Sequence, residues 1–392
     1  MTDSNCWLLP EGIDEALPPL ARKLEHYRRH LLDIYTAWGY ELVMPPLIEY
    51  LESLLTGAAH DLSLHTFKLT DQLNGRLMGV RADMTPQVAR IDAHRLKHSA
   101  PTRLCYMGSV LRTRPDGLAG SRAPLQIGAE LYGHAGLASD LEILKLMLAT
   151  LQACEIPSIH LDLGHVGIFR TLSTLARLDQ PQEALLFELL QRKALPEIEE
   201  FLNAHDAAPQ YRQALAALAQ LNGDLDVLGE ARAALPTEQP GIEAALRHLE
   251  ATASALQTQH PDIGLHLDLA ELRGYHYHTG LVFAAYTPGM GQEIARGGRY
   301  DAIGEVFGRA RPAVGFSADL KTLAGLSPST PPAPERIFAP CSDDPALTQT
   351  IATLRAQGMC IVHALAPGDT ADALGCQRRL HQHNQQWIIA DI

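Results

Sequence analysis

The stretch Leu125-Gln126-Ile127-Gly128-Ala129-Glu130-Leu131-Tyr132-Gly133 alternates without interruption. Side chains two apart on a strand share a face. Leu125, Ile127, Ala129 and Leu131 therefore make an apolar side, and Gln126, Gly128, Glu130 and Tyr132 share the other. Upstream, Thr102–Arg114 reads as a second strand, joined to the first by the turn-rich loop Pro115-Asp116-Gly117-Leu118-Ala119-Gly120. On that strand Arg112 and Arg114 fall on one face. A sheet with one greasy face and one face carrying Gln, Glu and two Arg is either the floor of a site for a small charged ligand or a solvated outer face. Periodicity alone leaves both readings open.

Working outward, Leu17–Trp38 has helical spacing, with Leu20, Leu24, Tyr27, Leu31 and Ile34 on one side. Gly39 stops it, and Tyr40–Met44 reads as a strand ending at Pro45-Pro46. Leu137–Ala153 predicts a helix and Ser158–Val166 a strand. From about 169 to 260 the composition shifts to Ala, Leu, Gln and Glu, which predicts an all-helical insertion. Strands resume at Leu265–Leu269 and continue through Leu281–Tyr286, Glu293–Arg296 and Ala313–Asp319. The Pro-rich run Ser327–Pro334 reads as a stiff linker (326–335), separating a core over 1–325 from a small α/β domain over 336–392. In that domain Ile337–Ala339, Cys360–Leu365 and Trp387–Ile389 read as strands separated by two helical stretches, a βαβαβ unit.

The chain has 392 residues, 46% of them apolar, which is enough to bury a sizeable core. A formal net charge of −13 disfavours a uniformly basic nucleic-acid binder. Met1–Pro10 has neither a basic nor an apolar signal region, and the greasiest stretch, Ile143–Leu151, is short and contains Lys145. Six scattered cysteines without a C-x-x-C pair read as reduced thiols of a cytoplasmic protein, with no metal site. His26/His30 and His94/His98 lack a third ligand and read as surface histidines. Two further segments are ambiguous by themselves. In Arg81-Ala82-Asp83-Met84-Thr85-Pro86, Thr85 is either a site hydroxyl or a plain helix N-cap. In Arg296-Gly297-Gly298-Arg299-Tyr300-Asp301, the glycines allow either close backbone approach or a bulge. No nucleotide-binding, nucleophile-elbow or zinc-helix motif is present, and no cofactor is expected.

Taken in order, these segments resemble the class II aminoacyl-tRNA synthetase core, specifically its histidyl branch, over roughly residues 8–325. Leu17–Pro46 resembles motif 1, the dimer-forming element, and Tyr106–Gly133 resembles motif 2. Leu272-Arg273-Gly274-Tyr275-His276-Tyr277 and Gly297-Gly298-Arg299-Tyr300-Asp301 resemble the two histidine signatures, and Ala313-Val314-Gly315-Phe316 opens motif 3. The resemblance implies an α+β fold, a largely antiparallel sheet flanked by helices.

It also implies a histidine pocket of Asp83, Thr85, Arg112, Gln126, Glu130, Arg273, Tyr277 and Tyr300. Asp83 stands where the family has Glu, and His278 replaces the second tyrosine of a Tyr-Tyr pair. ATP activation is not implied. Arg112-Thr113-Arg114 replaces the Arg-x-Glu that grips the α-phosphate and adenine, and Thr322 stands where the family's motif 3 ends in Arg. On a helix, Lys321 is expected to point about 100° away from Thr322. The C-terminal segment is about sixty residues, against the roughly ninety of an anticodon-binding domain.

A synthetase-like core that keeps the histidine site and loses the ATP site resembles the regulatory-subunit family of ATP phosphoribosyltransferase. That resemblance implies a non-catalytic chain with a short-form catalytic subunit as partner. It further implies self-association through the motif 1-like region, a hetero-octamer, L-histidine as feedback ligand in histidine biosynthesis, and neither nucleic acid nor membrane as partner. An active histidyl-tRNA synthetase and a free-standing histidine-binding paralogue are the alternatives.

Overall fold

The computed structural model describes residues 7–56, 60–115, 120–205, 208–272, 274 and 277–392. They divide into two compact units, 1–329 and 330–392.

The larger unit opens with α1 (Pro18–Ala37), which starts on prolines and buries Leu24, Tyr27, Leu31 and Tyr35 at helical spacing. It ends where Gly39 takes φ +82° and Tyr40 N–H bonds back to Tyr35 O. The short strand β1 (Glu41–Leu42) follows. A three-stranded sheet, β2 (Ile48–Tyr50), β3 (Phe67–Thr70) and β4 (Leu77–Val80), is interrupted by the short helices α2 (Leu51–Leu55) and α3 (His60–His65). Next comes α4 (Thr85–Arg90), which widens into a π-helical turn over Ile91–Leu96.

The strands β5 (Thr102–Ser109) and β6 (Leu125–Tyr132) pair antiparallel, with Tyr106 opposite Gly128 and Leu104 opposite Glu130. After α5 (Leu137–Ala153) and β7 (His160–His165), the insertion contributes α6 (Val166–Leu175), α7 (Gln180–Gln191), α8 (Leu195–Ala204) and α9 (Pro209–Leu218). Its second half holds β8 (Asn222–Gly223), α10 (Val227–Ala234) and α11 (Pro240–Gln259). It is not all helix: β8 pairs with β9 (Gly264–Asp268) and extends the main sheet. Then β10 (Leu281–Tyr286), β11 (Ala295–Arg299), β12 (Ala313–Asp319) and α12 (Leu320–Leu326) complete the unit.

The resulting nine-stranded sheet runs β1-β5-β6-β12-β11-β10-β7-β9-β8. Only β1/β5 and β7/β9 pair parallel. Its apolar face carries Ile127, Ala129 and Leu131 into one core with α1, α5, α12 and the insertion helices. On the other face a smaller cluster gathers Met84, Val88, Tyr106, Tyr132 and Tyr300. The alternation of β6 thus separates a helix-covered core from a polar but buried floor: Gln126 is 4% and Glu130 1% exposed, so this face is not solvated.

Two local expectations are corrected. The first of the paired strands stops at Ser109, so Arg112 and Arg114 do not lie on a strand. Among the described residues the hairpin continues through isolated bonds, among them Val110 N–H to Pro124 O and Arg112 N–H to Arg122 O. In the C-terminal unit, β13 (Arg336–Ala339), α13 (Pro345–Ala356) and β14 (Cys360–His363) form as expected. The second helical stretch is absent. Instead β15 (Arg378–His383) turns through Asn384 and Gln385, both at positive φ, into β16 (Gln386–Asp391). The unit is a four-stranded sheet, β14-β13-β15-β16, stapled where Trp387 Nε1–H bonds Asp344 Oδ2 at 2.7 Å.

Gly128 sits on β6 where a Cβ would lie 2.4 Å from the Tyr106 hydroxyl and 2.5 Å from Phe316 O. The backbone carbonyl cannot swing aside as a flexible side chain could. Gly128→Ala should destabilise the larger unit by about 2–3 kcal/mol. The check is a denaturant titration, and a midpoint equal to that of the parent chain contradicts the packing described here.

Candidate functional site

On the polar face of the sheet lies a cavity of about 280 Å³. Asp83, Thr85, Glu130, Tyr277 and Tyr300, all expected from the sequence, line it, together with Glu271, His278, Phe283, Gly297 and Gly315. Arg273 lies outside the described residues, as do Tyr275 and His276. Gln126 and Arg112 line a neighbouring, larger cavity of about 1120 Å³ instead.

Glu130 is the centre of the smaller site. Its carboxylate accepts from Tyr106 Oη–H at 2.9 Å and from the Tyr300 hydroxyl, and Tyr106 Oη shares a further bond of 3.0 Å with Thr85 Oγ1. Four elements are thereby joined: β6, β5, the start of α4 and the end of β11. The space exists because Gly315 on β12 has no side chain, for a Cβ there would stand 1.5 Å from Glu130 Oε2. Gly297 plays the same part, since a Cβ would meet Gly315 O at 2.2 Å and the Phe283 ring at 2.7 Å. Gly297 and Gly298 pair regularly with β10 and β12, so the Gly-Gly pair serves close approach and is not a bulge or turn.

Thr85 is not a plain N-cap. It is the first helical residue, Met84 precedes it without a side-chain cap, and Asp83 Oδ1 accepts the Thr85 N–H at 3.0 Å. Gln126 fixes Asp83 in turn: its Nε2–H donates to Asp83 Oδ1 at 2.8 Å while its Oε1 accepts Met84 N–H at 2.9 Å. Gln126 is therefore the positioner of Asp83 and lies behind it. Rings of Tyr277 and Tyr300 lie 4.9 Å apart, with His278 edge-on to Tyr277 at 5.5 Å. The hydroxyls of Tyr277 and Tyr132 are buried without a hydrogen-bond partner among the described residues.

Burial pushes Glu130 well above the ordinary carboxylate range, against the lowering pull of Tyr106 and Thr85, and Asp83 adds to the rise. Burial likewise lifts Tyr106, Tyr132 and Tyr277 far above the usual phenol range, with Glu130 reinforcing each. These phenols stay neutral donors. With Asp83, Glu130 and Glu271 on its walls, the cavity is rich in acceptors for N–H groups.

The larger cavity shares Arg296 and Ser317 with the smaller one. Arg112 Nε–H reaches Ala82 O at 3.4 Å, whereas Arg114 is exposed and lines neither cavity, so the two arginines expected on one face are placed differently. Lys321 and Thr322 both line this cavity, together with Ser317, Ala318 and Asp319 at the end of β12. Lys321 Nζ pairs with Asp14 at 3.1 Å, and Thr322 Oγ1–H donates to Asp319 Oδ2 at 2.9 Å. Asp319 Oδ1 also accepts the N–H groups of Leu125 and Lys321.

Sequence reasoning missed Tyr106 and Glu271. Tyr106 sits on a strand whose two faces both mix apolar and polar residues, so alternation gives no signal. Glu271 stands just ahead of the histidine-like signature, where only that proximity points to it. Among the described residues no cluster of three or more metal-ligating side chains occurs, and no helix is long and apolar enough to cross a membrane. Cys105, Cys154, Cys341, Cys360 and Cys376 are free thiols.

Because Glu130 holds its proton to higher pH folded than unfolded, its contribution is fully present below about pH 4.5 and is lost as pH rises toward its folded value. Glu130→Gln should remove a slope of up to about 1.4 kcal/mol per pH unit in that window. Unfolding free energies of parent and variant at pH 5 and 8 test this, and parallel pH profiles would contradict it.

Residues 12–323 match the family model for histidyl-tRNA synthetase, and residues 334–390 match that for the C-terminal domain of ATP phosphoribosyltransferase subunit HisZ. The ATP phosphoribosyltransferase regulatory subunit of Thioalkalivibrio sulfidiphilus is 62% identical over the full length of both chains. Among solved structures, a protein of Bacillus halodurans described as an ATP phosphoribosyltransferase regulatory subunit/histidyl-tRNA synthetase superposes with a TM-score of 0.82 at 25% identity, covering 94% of this chain and 96% of that one. A chain of the Thermotoga maritima ATP phosphoribosyl transferase (HisG:HisZ) complex shares the fold, at a TM-score of 0.57 and 20% identity, covering 75% of this chain and 96% of that one. On a full-length identity of this size, together with the two family matches, the chain belongs to the family of ATP phosphoribosyltransferase regulatory subunits.

Proposed function

We propose that this chain is the non-catalytic regulatory subunit of an ATP phosphoribosyltransferase in histidine biosynthesis. It partners a short-form catalytic subunit and binds L-histidine in the 280 Å³ cavity. The observation that carries the reading is Glu130, a buried carboxylate held by Tyr106 and Tyr300 at the floor of an acceptor-rich cavity. Histidine brings two kinds of N–H group, an ammonium and an imidazole, and both need acceptors that are already oriented. Asp83 serves the ammonium and Glu130 the ring, while Arg112 and Arg273 belong to the same set through the family resemblance. The relatives' name supplies the enzyme that the chain serves, and the family resemblance supplies the short-form partner and the pathway.

The neighbouring cavity supports the non-catalytic half of the reading. Gripping a triphosphate takes cations left uncommitted for its oxygens. Lys321 is already paired with Asp14, and Thr322 bonds Asp319. The apolar run from Trp38 to Ile48, with Met44 78% exposed, fits self-association through the motif 1-like region. Histidine regulates the complex by binding its active and inhibited states with unequal affinity, for which a coupling of about 1–3 kcal/mol is sufficient.

Co-purification with a short-form catalytic subunit is the deciding experiment. A stable mixed complex whose activity falls with L-histidine is expected, whereas no complex, or robust histidine-dependent ATP–pyrophosphate exchange by this chain alone, overturns the assignment. Glu130→Ala should cost about 2–3 kcal/mol of histidine affinity by calorimetry while the mixed complex still assembles. Unchanged affinity would place histidine elsewhere.

A further inference from the structure

The loop that carries Glu271, Tyr277 and His278 leaves the end of β9 and returns into β10, and the helical insertion holds it at both ends. From α7, Gln191 Nε2–H donates to Ala270 O at 2.9 Å, and just beyond that helix Lys193 Nζ pairs with Asp268 at 2.9 Å. From α6, Arg170 Nη2–H donates to His278 O at 2.9 Å.

A second connection runs behind Tyr300. Its chain neighbour Arg299, 7% exposed, grips the fully buried Asp140 of α5 through Nη2 at 2.6 Å and Nε at 3.0 Å. The other oxygen of Asp140 meets His248 Nε2 of α11 at 2.8 Å. Arg299 Nη1 also holds Asp301, whose Oδ1 accepts Ala313 N–H and whose own N–H bonds Thr279 Oγ1. Arg299 therefore sets the backbone on both sides of Tyr300, and Tyr300 bonds Glu130. A buried carboxylate shared between a guanidinium and an imidazole is costly to disturb on either side, so a shift of α11 is felt at Arg299 and the reverse.

We propose that the helical insertion and the small cavity form one coupled unit, in which Asp140, clamped between Arg299 and His248, is the positioning residue that ties the seat of Tyr300 to α11. This rests on the reading of the cavity as the L-histidine site. It assigns the insertion the part of conveying occupancy of that site, since a ligand that fixes Tyr300 and the loop also fixes α6, α7 and α11. By reciprocity, whatever restrains α11 raises affinity in the cavity.

The test uses the full chain and L-histidine. In the parent, saturating L-histidine should slow amide exchange in residues 240–259 of α11. His248→Ala should abolish that protection and weaken L-histidine about fivefold by calorimetry, with stoichiometry kept. His248→Gln, which can restore a donor to Asp140, should recover most of the affinity, an outcome a merely structural role for the ring would not give. Equal affinity in parent and His248→Ala, or no change of exchange in α11 when the parent is saturated, overturns the coupling and leaves the site reading intact. Absence of L-histidine binding by the parent overturns the site reading, and the inference with it.

Discussion

A carboxylate placed inside a sheet is the constraint to which the rest of this molecule answers. Moving Glu130 out of water costs several kcal/mol unless its oxygens find donors, and it is 1% exposed. The donors are a tyrosine on β5 and one just past β11, and the first of them is itself tied to Thr85 at the start of α4. Room for the group comes from glycine on β12, and room for Tyr106 from glycine on β6. The register of β6 with β5 and β12 is thus fixed twice, once by the apolar core beneath it and once by a single acid above.

The polar face carries two neighbouring chambers of different character, which meet at Arg296 and Ser317. Around Glu130 the walls offer acceptors and rings, and Asp83, Thr85, Glu130 and Tyr300 are held by hydrogen bonds among themselves and with Gln126 and Tyr106. Beyond Gln126 and Arg112 the second chamber is larger, and its charged groups largely answer one another, Lys321 to Asp14 and Arg296 to Glu293. Preorganisation in one and internal neutralisation in the other are the physical contrast between the two chambers, and the proposed sensing role rests on it.

Much of this was legible in the amino-acid sequence because β6 obeys a strict period of two. That Gln126 and Glu130 share one face follows from alternation alone, though not that the face is buried, and the helices α1 and α5 follow from their apolar spacing. The signal fails where a residue's position depends on a partner far away. Arg112 and Arg114 look like strand neighbours, but the ladder ends at Ser109, so one lines a cavity and the other meets solvent. Nothing local distinguishes Tyr106 from a core tyrosine, since its role is set by Glu130 across the hairpin. In the C-terminal unit, Arg378–His383 has too few apolar residues to read as a strand, and the pairing with Gln386–Asp391 is what makes it one. Thr85 shows the same lesson in reverse: its sequence context is that of a cap, and its hydroxyl instead goes to Tyr106.

Asp319 accepts from Leu125 N–H, Lys321 N–H and the Thr322 hydroxyl at once. It therefore closes the end of the central hairpin, starts α12 and sits beside position 322. An arginine substituted for Thr322 would arrive next to this carboxylate, placed to form an ion pair with it. Removing Asp319 to free that arginine would unfasten the strand end and the helix start together. Position 322 is therefore bound up with the strand end and the helix start, and its side chain cannot be exchanged without a consequence for both.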